Sequence, residues 1–209
     1  MYGETAGLEI QFNAVTLSYH NLGSTVHQLD SFTAHFTPSR LLWLTDVILE
    51  PKDTKHDTLC VRQWVRSRTR SILRLLDFAA KHRHIHIKLR LPPFRISGST
   101  ILFENNGLVL SAVFRGRDLN GRPLNLRDAG LAALYARLWK WMLGEHEDEI
   151  RDLVGPAGNL KFFPRAEEWR KEEFVDKLLA EWTARGLTLR EERWKVVIEN
   201  SREWMENGI

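Results

Sequence analysis

A chain of 209 residues with 43% hydrophobic content can bury one sizeable core, which excludes global disorder. The single cysteine, Cys60, excludes an internal disulfide. No run is long enough to span a membrane, and neither an apolar leader nor an Asn-x-Ser/Thr acceptor occurs, so the expected setting is intracellular, cytoplasmic or nuclear. The net charge of +3 is unevenly spread: residues 55–95 carry +9, residues 1–54 carry −4 and residues 145–209 carry −5.

Leu8, Ile10 and Phe12 alternate with polar residues, which is strand periodicity. Gly23-Ser24 opens a short helix with Val26, Leu29 and Phe32 on one face and Ser24 as its N-cap, and Thr37-Pro38 ends it. Residues 44–49 read as a strand closed by Pro51. Residues 59–81 read as one helix, with Val61, Trp64, Val65, Ile72, Leu75, Leu76 and Ala79 on its apolar face. Arg62, Arg66, Arg70 and Arg74 wind around the opposite face. Arg68 falls among the apolar positions, so it must either snorkel outward or meet a buried acid.

Residues 84–91 alternate strictly and form the clearest strand, which completes a βαβ unit. The helix would cover Ile85, Ile87 and Leu89, leaving His84, His86, Lys88 and Arg90 on the other sheet face. Asn105-Asn106-Gly107, between residues 100–104 and 108–115, predicts a β-hairpin. Asn125 caps a helix running to Leu143, with Gly144 as its stop, and Trp139 and Trp141 point in different directions. Gly155-Pro156-Ala157-Gly158 is the best boundary. Beyond it, residues 165–185 read as a helix stopped by Gly186, and Thr188 with Glu191 forms a capping box for a last helix.

The expected fold is therefore α+β: a small mixed β-sheet with helices on one face. An α+β domain with a βαβ unit and a hairpin spans 1–154, and a helical C-terminal segment, 155–209, packs on it.

Tyr2-Gly3-Glu4, followed by Leu8-Ile10-Phe12, Leu29, Phe32, Pro38 and Val47-Ile48-Leu49, resembles a stretch of uncharacterised ascomycete F-box-like proteins. There a Tyr-Gly-Glu-Asn-Thr-Phe run leads into a strand, a short helix and a proline-containing step to another strand. Thr5-Ala6-Gly7 stands here in place of Asn-Thr-Phe. The resemblance covers residues 2–50. It implies the portion downstream of the F-box-like segment, or a shortened member, and it implies no catalytic residue.

The functional candidates start from charge. Guanidinium forks match phosphate and carboxylate oxygens, so Arg62, Arg66, Arg70 and Arg74, with Lys88 and Arg90, form the expected partner-binding surface. A protein partner of a non-enzymatic adaptor module is the first reading. Nucleic acid on the same residues is the second, and an enzyme of unrecognised family the third. Neutralisation of the stripe by the acidic ends is the competing structural reading.

His82, His84 and His86, with His56 or Glu104, have some spacing of a metal cluster, but alternation on an exposed strand accounts for them and no metal is expected. Glu50-Pro51-Lys52 with Asp30 or Asp46 echoes metal-dependent nucleases, although proline is a poor fit at its middle. Asp128 lacks an acid/base partner, and Glu147-Asp148-Glu149 suits a helix N-terminus. Cys60 reads as packed. No cofactor is implied.

Overall fold

The computed structural model describes residues 15–19, 21–52, 61–92, 94, 99–116, 129–165, 170–186 and 191–209. The chain opens with strand β1 (Val15–Leu17) and helix α1 (Leu22–Ala34). Leu22, Val26 and Leu29 are buried at helical spacing. The N-cap is Asn21 rather than Ser24: its side chain accepts the Ser24 N–H at 2.9 Å. Thr37-Pro38 ends α1 as expected, because Thr37 caps the short helix α2 (Pro38–Leu41) with Pro38 at its first position. Strand β2 (Asp46–Leu49) follows.

The arginine-rich segment is two helices, α3 (Val61–Arg66) and α4 (Thr69–Lys81), where one was expected. Hydroxyls cause the break. Ser67 Oγ donates to the Trp64 carbonyl at 2.9 Å and Thr69 Oγ1 to the Arg66 carbonyl at 2.9 Å, in competition with the helical ladder. The break resolves the Arg68 conflict. Arg68 leaves the apolar face and lays its guanidinium 5.0 Å from the ring centre of buried Trp64.

Strand β3 (His86–Leu91) completes the βαβ unit and pairs in parallel with β2, Val47 opposite Ile87 and Leu49 opposite Leu89. Ile85, Ile87 and Leu89 are buried, as their alternation predicts.

Residues 100–115 are helix α5 (Thr100–Arg115), not a hairpin. Ser99 caps it, accepting the Leu102 N–H at 3.2 Å, and left-handed Gly116 closes it. Nearly every side of α5 is buried, so its apolar residues carry little periodicity to set against the Asn-Gly turn signal. Helix α6 (Ala129–Leu143) ends at Gly144, as expected, although Asn125 lies outside the described residues. A 3-10 turn (Gly144–His146) leads into α7 (Glu147–Val154), whose first turn holds Glu147, Asp148 and Glu149.

The break at 155–158 is a turn within the fold. Strand β4 (Leu160–Pro164) follows it and pairs in parallel with β3, so the 155–209 segment supplies a strand as well as α8 (Lys171–Ala184) and α9 (Glu191–Glu206). Leu8-Ile10-Phe12 and Thr188 lie outside the described residues.

The expected class holds, a small sheet with helices, but its four described strands run parallel where a mixed sheet was expected. The strand order is β1-β2-β3-β4, parallel throughout. At the outer edge of β4, Phe162 and Ile209 exchange two N–H···O bonds of 2.8 Å, an antiparallel pair. Gly208 permits this return, at φ 69° with any added Cβ only 2.7 Å from the Phe163 ring. Val47, Leu49, Ile87, Leu89, Leu160 and Phe162 form the buried sheet face. Helices α1, α4 and α7 pack side by side, α3 lies on α6, and α5 packs with α8 and α9.

Helix α5 has a second, distant cap. The Glu181 carboxylate of α8 accepts from Ser99 Oγ at 2.7 Å, the Thr100 N–H at 3.1 Å and the Ile101 N–H at 3.3 Å. Burial opposes its ionisation, but these donors outweigh burial and hold the carboxyl below its ordinary 4.5. A depressed folded pKa stabilises above the unfolded value and loses its contribution as pH falls through the folded one. Glu181→Gln is therefore expected to cost about 1–2 kcal/mol at pH 7. In urea melts, its gap to the wild type should narrow below pH 4.5. A gap unchanged at low pH would contradict this account.

Candidate functional site

The six expected cations do not form one surface. Lys88 and Arg90 stand on the sheet face away from α4. Lys88 lies 3.8 Å from Asp46, and Arg90 donates to Glu50 at 2.9 Å. Such half-exposed pairs contribute roughly 0–1 kcal/mol each. On the helical layer, Arg74 pairs with Asp30 of α1. The Arg62 side chain lies outside the described residues. Arg66 and Arg70 remain, both exposed and with no acidic partner among the described residues. The acidic helix α8, with Glu172 and Glu173, packs on α5 and α9, and its first-turn acids are exposed. Glu167 and Glu168 lie outside the described residues.

Arg66 and Arg70 flank a cleft of about 390 Å³ at the α3–α4 break. Residues 66–71 form one wall. The corner from Leu143 to His146, between α6 and α7, forms the other. The break that creates this cleft also exposes a helix end. Arg68 provides no side-chain cap for α4, and the Ile72 N–H bonds the Arg68 carbonyl at 3.0 Å. The start of this 13-residue helix carries the positive end of its dipole, which favours an anion.

The opposite wall contributes His146, whose buried Nδ1 has no hydrogen-bond partner. Carboxylates of Glu145 and Glu149 stand 3.6 Å from its ring nitrogens. Glu145 is the acid on this rim, and its carboxylate is largely turned to solvent at 79% exposure. Beside the cleft, Trp141 is exposed, with the Arg66 guanidinium 6.0 Å from its ring centre.

The other candidate clusters do not assemble. His84 Nε2 bonds the Leu41 carbonyl at 3.1 Å and His82 packs on Phe78 with ring centroids 4.5 Å apart, while His86 is exposed at the start of β3. Burial, then the neighbouring His84 and Lys81, push the His82 pKa down against Asp77. Glu104 is inside α5, paired with Arg193 at 2.6 Å. His56, Cys60 and Asp128 lie outside the described residues. No group of three or more His, Cys, Asp or Glu among the described residues is arranged to hold a metal. Asp46 and Glu50 lie four residues apart on one run of chain, roughly 13 Å at strand rise, too far to share an ion.

Open α/β sheets bind ligands where strand order reverses, and among the described strands the order 1-2-3-4 contains no reversal. Sequence reasoning found the arginines but not the cleft. Its signal was present in Ser67-Arg68-Thr69, where two hydroxyls bracket a charge on an apolar face. The opposite wall, some 75 residues later, has no signal linking it to that break. No described helix is long and apolar enough to cross a membrane. No protein-family model, curated protein or solved structure matches the chain.

Proposed function

We propose that this protein is a non-enzymatic interaction module that grips an anionic group of a partner protein in the α3–α4 cleft. The observation that carries this reading is the pair of exposed, acid-free arginines, Arg66 and Arg70, beside the uncapped end of α4. Guanidinium–oxyanion bonds are among the stronger polar contacts, and the positive end of α4 beside them favours the same charge. A place among F-box-like adaptors of an intracellular compartment is compatible with this reading and adds no catalytic residue to it.

Nucleic acid is the less favoured occupant. A strand follows a track of unpaired cations. Arg74, Lys88 and Arg90 are paired, the last two on another face.

The test is Arg66→Glu with Arg70→Glu. Both side chains are exposed, so the double variant should keep its melting temperature within a few degrees. It should also lose at least ten-fold in affinity for protein partners captured from extract by the wild type. A large loss of thermal stability would make the stripe structural and overturn the reading. Binding of a mixed DNA and RNA pool by the wild type, with a log–log salt slope near −4, would replace it with the nucleic-acid reading.

A further inference from the structure

We infer that the corner between α1 and β2 docks on an anionic lipid surface, with Leu42 and Trp43 as the inserted pair. This site is separate from the α3–α4 cleft and does not rest on it.

The argument begins with projection. Helix α2 has no buried residue, and residues 37–40 are all exposed. Leu42 is 65% exposed and Trp43, the next residue, 39%. Between Thr37 and Thr45 only Leu44 is buried, and it roots the corner in the core. Two adjacent apolar side chains on a projecting turn suit a soft layer that closes around them. The amphipathic tryptophan ring is at home at headgroup depth.

The second point is charge of one sign. Residues 31–45 and 78–91 contain no acid. The two stretches meet at the corner: His84 Nε2 bonds the Leu41 carbonyl at 3.1 Å, and the His86 N–H donates to the Thr45 carbonyl at 2.7 Å. The nearest acids in the chain, Asp30, Asp46 and Asp77, are engaged by Arg74, Lys88 and Lys81. Arg40 and Arg83 are exposed, with no acidic partner among the described residues. A leaflet with anionic headgroups asks for apolar depth and positive charge, and the corner has both.

The third point is position. Helix α4 runs from the cleft at its start to the His82–His84 turn at its end, and its 13 residues span roughly 20 Å, well beyond the screening length at physiological salt. Docking at the corner therefore leaves the cleft open, and the cleft arginines add little to it.

The experiment is co-sedimentation of the full chain with vesicles of phosphatidylcholine, alone or with about 30 mol% phosphatidylserine, in about 0.1 M salt. Partition at least ten-fold tighter onto the anionic vesicles is expected. Leu42→Ser with Trp43→Ser should weaken it at least ten-fold, and so should Arg40→Glu. These side chains are exposed, so both variants should keep the melting temperature within a few degrees. Leu179→Ser, at an exposed leucine of α8, and Arg70→Gln, in the cleft, should each stay within two-fold of the wild type. Failure of the wild type to pellet with either vesicle would overturn the inference. So would undiminished binding by the double serine variant or by Arg40→Glu. A ten-fold loss in Arg70→Gln would move the lipid contact to the cleft. Wild-type dimers in sedimentation velocity that the double serine variant dissociates, without vesicle binding, would assign the corner to a second copy of the chain instead.

Discussion

Replacing Gly107 with alanine is expected to destabilise the protein by about 2–3 kcal/mol and lower its Tm by roughly 5–10 °C. Gly107 lies in the middle of α5, where alanine normally gains close to ~1 kcal/mol over glycine from helix propensity. A net loss would therefore understate the clash by about that amount. A Cβ at this position would stand 2.1 Å from the Trp204 ring of α9, with further ring atoms at 2.3 and 2.5 Å. Trp204 has little room to retreat, since Phe94 and Phe103 pack on it with ring centroids at 6.1 and 5.9 Å. Trp204→Leu, which removes the colliding atoms, should cost less in the alanine background than in the wild type. Thermal melts of the four proteins make the cycle. A Gly107→Ala variant as stable as the wild type would show that α9 can move off α5.

Arg193→Met should cost about 3 kcal/mol at pH 7.5. Glu104 is almost fully enclosed in α5, with its side chain 5% exposed, and Arg193 of α9 holds it at 2.6 Å. Removing one partner leaves a buried charge, a loss of roughly 3–5 kcal/mol; Arg193 is itself 29% exposed, which keeps the expectation at the lower end.

Acidity supplies the check. Burial pushes the Glu104 carboxyl above its ordinary value, and the charge and hydrogen bond of Arg193 oppose that rise. Without Arg193 the rise grows. A carboxyl whose folded pKa exceeds its unfolded one binds its proton more tightly when folded, so it destabilises as pH climbs above the unfolded value. The variant's deficit should therefore be small at pH 4 and full at pH 7.5. Denaturant melts at both pH values decide it, and a deficit independent of pH would assign the loss to packing. Glu104→Leu combined with Arg193→Met should recover most of the stability, because a well-packed apolar pair replaces an ion pair at little cost.

Gly107 also marks where reading the chain was hardest. Asn-Gly between apolar runs is a hairpin signal when local geometry decides, but here the glycine answers to a tryptophan 97 positions later. Ser99 and Gly116, at the two ends of α5, were the local helix markers. Strand β4 was legible in principle, since Leu160 and Phe162 alternate with exposed Lys161, but its closing Pro164 and the helical stretch beyond it masked a five-residue signal. β3 and the amphipathic faces of α1 and α4 were readable because burial on one side imposes a period that few other constraints disturb. The cleft arises where that period fails at Ser67-Arg68, so regularity-based reading ran a helix straight through it.

Strand order matching chain order has a kinetic consequence. Each strand pairs with the one made just before it, so the growing sheet never has to open to admit a later strand. Loop-closure entropy is met one crossover at a time, a pattern suited to stepwise accretion as the chain leaves the ribosome. Until β4 docks, β3 presents a bare hydrogen-bonding edge. The long interval from β3 to β4, which contains α5 to α7, is then the period of greatest exposure to wrong strand partners.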